Sequence, residues 1–81
     1  MLKLATETKL EGKEVIKKAV FFFGPGGYGL EVVEETDAAA TFKGGGGGVE
    51  VLVKAEGGKT TVNLASQEWD YQTREFLTKL R

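Results

Sequence analysis

Residues 1–81 predict a single α+β domain with the order β-α-β-β-β-β-α, and three observations carry that expectation. Short segments alternate apolar with polar residues, two longer stretches repeat apolar residues at helical spacing, and glycine-rich breaks separate most of these segments. Two amphipathic helices and an antiparallel sheet with one apolar face have one economical arrangement, with both helices on the same side of the sheet.

The chain is expected to start with a strand, where Leu2, Leu4, Thr6 and Thr8 alternate with Lys3, Ala5, Glu7 and Lys9. A helix follows. Thr8 and Glu11 have the spacing of a capping box, with Gly12 as the alternative N-cap. Val15, Ile16, Ala19, Val20, Phe22 and Phe23 then share one face, opposite Glu14, Lys17 and Lys18. Gly24-Pro25 ends this helix, because proline cannot continue it and disfavours the α conformation in the residue before it. Gly24, Gly26, Gly27 and Gly29 predict a flexible connection around Tyr28.

Four strands are expected next. Leu30–Glu35 is closed by the turn-forming pair Thr36-Asp37, and Ala38–Lys43 follows it. Gly44 to Gly48 predicts a floppy hairpin connection into the clearest strand, where Val49, Val51, Val53 and Ala55 alternate with Glu50, Leu52 and Lys54. Gly57-Gly58 suits a hairpin turn with positive φ at both central positions, and Thr60–Ser66 follows with Val62 and Leu64 inward. Short connections imply an antiparallel meander. The second helix is expected from Trp69 to Leu80, with Trp69, Thr73, Phe76, Leu77 and Leu80 inward and Gln72, Arg74, Glu75, Thr78 and Lys79 outward. Asp70→Arg74 and Glu75→Lys79 have the spacing and polarity of favourable helical ion pairs.

The composition narrows the function classes. A domain this small has a thin core, and the absence of cysteine and histidine removes disulfides and Cys/His zinc sites as staples. Packing against a second copy is the remaining route to extra stability. Histidine-dependent nucleophilic catalysis is excluded too, since Ser66 is the single serine and has no histidine partner. A net charge of −1 lacks the footprint of a nucleic-acid or anionic-membrane binder. The N-terminal residues turn polar too soon for a signal peptide, and the longest apolar run, Ala19 to Phe23, cannot span a bilayer, so a cytoplasmic protein is expected.

The element order resembles the fold of the TATA-box-binding-protein repeat, itself close to a truncated helix-grip domain of the plant-allergen and lipid-transfer type. The resemblance covers the whole chain and consists of topology alone, so it carries over no functional residue. A DNA saddle would need rows of lysine and arginine flanking intercalating phenylalanines. Strict alternation instead gives the outer sheet face Lys3, Ala5, Glu7, Glu31, Val33, Glu35, Ala39, Thr41, Lys43, Glu50, Leu52, Lys54, Thr61, Asn63 and Ala65. That mixture is expected to pair Glu with Lys across strands and to bind neither nucleic acid nor membrane.

No motif singles out a catalytic, cofactor or metal site. Gly44–Gly48 lacks the Gly-Lys-Ser/Thr ending of a phosphate loop and leads into a strand. Glu34, Glu35 and Asp37 lack a calcium-loop pattern, and two adjacent strand residues point to opposite faces. The run Phe21-Phe22-Phe23 is more informative. Three consecutive aromatics span about 200° of a helix, so Phe21 falls outside the inner stripe, either at the rim of a wide helix face or exposed at an interface. Phe21, Val33 and Leu52 are therefore the candidate interface residues. The expected function is self-association or protein-partner binding without enzymatic activity. A small apolar ligand between helices and sheet is the alternative, and a metal-dependent carboxylate enzyme the third.

Overall fold

The computed structural model describes residues 2–80, in the order β1 (Leu2–Thr8), α1 (Gly12–Phe23), β2 (Glu31–Glu35), β3 (Ala39–Gly44), β4 (Gly47–Glu56), β5 (Lys59–Gln67) and α2 (Asp70–Lys79). The α+β class and the element order are those the periodicities predict. All strand pairs are antiparallel, and they form one sheet in the order β1-β5-β4-β3-β2. Strands β2 to β5 are a meander. Strand β1 comes first in the chain yet pairs with the last strand, leaving β1 and β2 as the two edges.

Both helices cover the same sheet face, α1 over β3 and β4 and α2 over β5 and β1. Val15, Ile16, Ala19 and Phe23 of α1 meet Ala40, Phe42, Val49, Val51, Val62 and Leu64 of the sheet, with Phe76 and Leu80 of α2 completing the core. Phe23, Phe42 and Phe76 are its largest buried side chains, and both Phe42 and Phe76 have ring centroids 5.4 Å from that of Phe23. Burying a phenylalanine side chain stabilises by roughly 1.5–3 kcal/mol, so this trio is a major part of what holds a thin core together. Among the described residues, the other sheet face carries no helix.

The two glycine-rich connections are tighter than their composition suggests. Strand β3 runs on to Gly44 and β4 begins at Gly47, so only Gly45 and Gly46 turn the chain, with φ of 58° and 82°. Gly57 and Gly58 repeat that geometry with 56° and 82°. Left-handed values at both central positions define the hairpin turn that matches strand twist, and L-residues resist them. The Trp69 indole packs on the first hairpin and its Nε1 donates to the Gly44 carbonyl at 2.8 Å. The 24–30 connection is also ordered. Gly27 N and Gly29 N donate to Gly24 O, Tyr28 N to Phe22 O, and Leu30 N to Phe23 O.

Three local expectations are corrected. Glu11, not Thr8 or Gly12, is the N-cap of α1, and it makes no side-chain cap hydrogen bond. Thr8 belongs to β1, and its Oγ1 accepts from Leu10 N at 3.3 Å instead. Gly12 is the first helical residue, where a Cβ would lie 2.9 Å from Val53 Cγ2. Secondly, β2 has a bulge: Val32 opposes Phe42, Glu34 opposes Thr41 and Glu35 opposes Ala40, leaving Val33 unpaired. Strict alternation fails beyond that point, and Glu34 takes the outer-face position assigned to Glu35. Thirdly, the α2 acids are engaged elsewhere. Asp70 Oδ1 accepts from Ser66 Oγ and Glu75 Oε1 from Tyr28 OH, both at 2.6 Å, while Lys79 Nζ lies 5.9 Å from the Phe22 ring centroid.

Candidate functional site: a lysine-rimmed groove between the helices

The last two turns of α1 face the C-terminal half of α2 across a shallow groove of about 350 Å³, lined by Lys17, Lys18, Phe21, Phe22, Phe76 and Lys79. The 3.6-residue period builds its α1 wall. Phe23 turns into the core and is fully buried, Phe22 is half-buried between the helices, and Phe21 stands 76% exposed. Phe22 packs edge-on against Phe23 at 4.9 Å and tilted against Phe76 at 5.4 Å, which fixes the groove floor. Tyr28 and Trp69 extend this aromatic row along the same gap, with Tyr28 5.3 Å from Phe22 and 6.0 Å from Trp69.

Charge is one-sided here. Among the described residues, the three ionisable groups lining the groove are all lysines, with no carboxylate. An adjoining depression of about 660 Å³ contains Lys18 and Lys79 again and adds Lys9 and Lys59, against the single acid Glu7 among the described residues. Five of the nine lysines thus converge on one end of the helical layer. Lysine stems cover apolar surface while their ammonium groups reach solvent, so the rim is basic and the floor apolar.

Directly before Phe76 in α2, Glu75 accepts from Tyr28, and this hydrogen bond holds the Tyr28 phenol above its ordinary value, with desolvation and the Glu75 charge acting in the same direction. The protonated phenol is the form that closes the 24–30 turn onto α2.

Phe21, Val33 and Leu52 are each exposed, at 76%, 54% and 44%, but the fold does not bring them together. Phe21 faces the helix groove, Val33 is the bulge on edge strand β2, and Leu52 lies on the open sheet face between Ala39 and Asn63. On that face Lys43 opposes Glu31, yet the ion pairs among the described residues are Lys13–Glu11 and Lys54–Glu56, neither cross-strand. Sequence reasoning found Phe21 but missed its setting. Lys17, Lys18 and Lys79 read as the wet faces of two separate helices, and only the packing of α1 beside α2 joins them.

Other chemistry is sparsely provided for. Among the described residues no three acids are grouped as a metal site would require, and no helix is long and apolar enough to cross a membrane. The Ser66 hydroxyl is buried and committed to Asp70. The space between helices and sheet is occupied by Phe23, Phe42 and Phe76, with Trp69 displaced to the β3–β4 hairpin. No protein-family model, curated protein or solved structure matches this chain.

Proposed function

We propose that this domain is a non-enzymatic interaction module that binds a protein partner, and that the partner presents an acidic segment with an apolar anchor to the groove between α1 and α2. The observation that carries the reading is Phe21, 76% exposed beside the half-buried Phe22 and framed by Lys17, Lys18 and Lys79, with no acid among the described residues lining the groove. Aromatic residues are enriched among those that anchor protein interfaces, and Phe21 lines a groove whose floor is itself aromatic. The lysines would steer acidic partners towards it and disfavour basic ones. Their clustering contrasts with a net charge of −1, which supports a local site over a general affinity for polyanions. A small apolar ligand would have to use the same outer groove, because the inner space is filled.

The test is selection of binders from a display library of random peptides, followed by anisotropy titration of the selected peptides against the wild type, Phe21→Ser and Lys79→Glu. The expectation is enrichment of acidic peptides carrying a leucine or aromatic residue, with binding weakened at least tenfold by either substitution and by added salt. Selected peptides that are basic, or that ignore both substitutions, would refute the reading. Saturable fatty-acid binding blocked by Phe21→Ser, in the absence of any peptide enrichment, would favour the ligand alternative.

A further inference from the structure

We infer that the free edge of β1 pairs with a second copy of this chain, antiparallel about a two-fold axis at Ala5, to form one continuous sheet. Among the described residues, strand β1 pairs on one side only, with β5, in an unbroken register from Leu2↔Ser66 to Thr8↔Thr60. Its other side offers seven residues of regular extended backbone with no bulge and no proline. Unprotected edges of this kind are templates for another strand. The opposite edge is blunted, because β2 is bulged at Val33 and carries Glu31, Glu34 and Glu35. Two β2 edges would repel one another. Two β1 edges would not.

The sequence of β1 is complementary to itself. Pairing about a two-fold axis requires that if residue i faces residue j, then j faces i. The register that uses all seven residues pairs positions whose numbers sum to about ten, centred on Ala5. Lys3 of each copy then faces Glu7 of the other, Leu4 faces Thr6, and the two Ala5 residues meet at the axis. Lys3 and Glu7 are both exposed on the open sheet face, so their side chains meet on the same side. Directly opposed charges of opposite sign favour a cross-strand pair. Sliding by two residues in either direction sets Lys3 or Glu7 against Ala5 and loses both ion pairs. Sliding by one turns every side chain to the wrong face.

The inner side of the strand supports the same partner. Leu2, Leu4 and Thr6 are only half-buried, because nothing covers them beyond the edge. Helix α2 sits over β5 and β1, so a two-fold axis beside β1 brings two α2 helices together at on the order of 10 Å, the usual interhelical spacing. Leu77 is half-buried and lies about 160° around α2 from Lys79, on the flank away from α1. That flank would meet its counterpart. Neither Phe21 nor the lysine groove takes part, so this pairing stands or falls separately from partner binding.

Sedimentation velocity of the full chain, from low micromolar to near-millimolar concentration, tests the pairing together with four variants. The wild type should dimerise reversibly. Lys3→Glu and Glu7→Lys should each weaken the dimer at least tenfold, and the double variant should restore it by exchanging the two charges. Ala5→Lys, which places two ammonium groups at the axis, should give a monomer. Circular dichroism should show an unchanged fold throughout, since the three positions are exposed. A wild type that stays monomeric would overturn the inference, and so would a dimer indifferent to these changes. Failure of the double variant to recover would overturn the register.

Discussion

The β3–β4 and β4–β5 hairpins form an internal controlled experiment. Gly45 and Gly57 occupy the same position in their two-residue turns with φ of 58° and 56°, so replacing either by alanine forces an L-residue into the same left-handed backbone. That conformation costs roughly 1–2 kcal/mol, offset by about 0.4–1 kcal/mol because alanine restricts the unfolded chain. A net loss of about 1 kcal/mol is expected at Gly57, where nothing lies within 4 Å of the added methyl.

Gly45 differs in one respect. Its added Cβ would lie 2.9 Å from Trp69 Cζ2, whereas carbon atoms prefer roughly 3.5–4.0 Å. The indole would have to retreat by several tenths of an ångström, stretching the 2.8 Å hydrogen bond from Nε1 to Gly44 O. Overpacking of this kind costs about 1–3 kcal/mol and a weakened hydrogen bond up to about 1 kcal/mol. Gly45→Ala should therefore cost about 2 kcal/mol more than Gly57→Ala, a Tm difference of roughly 8–16 °C in a domain this size. Urea and thermal melts of both variants measure the difference. Repeating Gly45→Ala in a Trp69→Ala background should bring its cost down to that of Gly57→Ala. Equal costs in the wild-type background would refute the view that Trp69 makes this hairpin rigid.

Two further outcomes follow from individual residues. Glu68 is the one described non-glycine residue with positive φ, at 70°, so Glu68→Gly should relieve left-handed strain and stabilise by about 0.5 kcal/mol after glycine's entropy cost; a lowered Tm would show that this side chain makes an essential contact. The raised Tyr28 phenol has the sign of a group that stabilises in its protonated form. Its contribution is fully present below the unfolded phenol value of about 10 and lost as pH rises through the higher folded value, so Tyr28→Phe should flatten the alkaline fall in stability and remove the higher phenolate transition in ultraviolet titration.

The parts of the fold legible in the sequence were those governed by period. The alternation of Val49, Val51 and Val53 and the helical spacing of Val15, Ile16, Ala19 and Phe23 each specify which face is buried. Periodicity failed where one residue broke it. Val33 reads as an ordinary strand residue, and nothing near it announces a bulge that reverses the faces of Glu34 and Glu35. Composition misled at Gly44–Gly48, since five glycines look flexible until Trp69, more than twenty residues away, closes on them. The groove was invisible for a similar reason. Lys17 and Lys18 are separated from Lys79 by most of the chain, and pairing α1 with α2 is a tertiary event.

The sheet order explains why the two proposed interaction surfaces are separate. Placing β1 beside β5 sets α2 over the β1 edge and α1 over β3 and β4, with the aromatic seam between them. A groove between helices stays accessible only if neither flank of the helical layer is folded over it. Extending the sheet through β1 adds a second α2 on the far flank and leaves the α1–α2 gap open. A dimer built this way would carry two lysine-rimmed grooves related by the two-fold axis, so a partner with two acidic segments could engage both. Such a partner should bind the wild type far more tightly than Ala5→Lys, whereas a single-segment peptide should bind both alike. Equal gains for one-segment and two-segment peptides would separate the groove from the dimer and refute their cooperation.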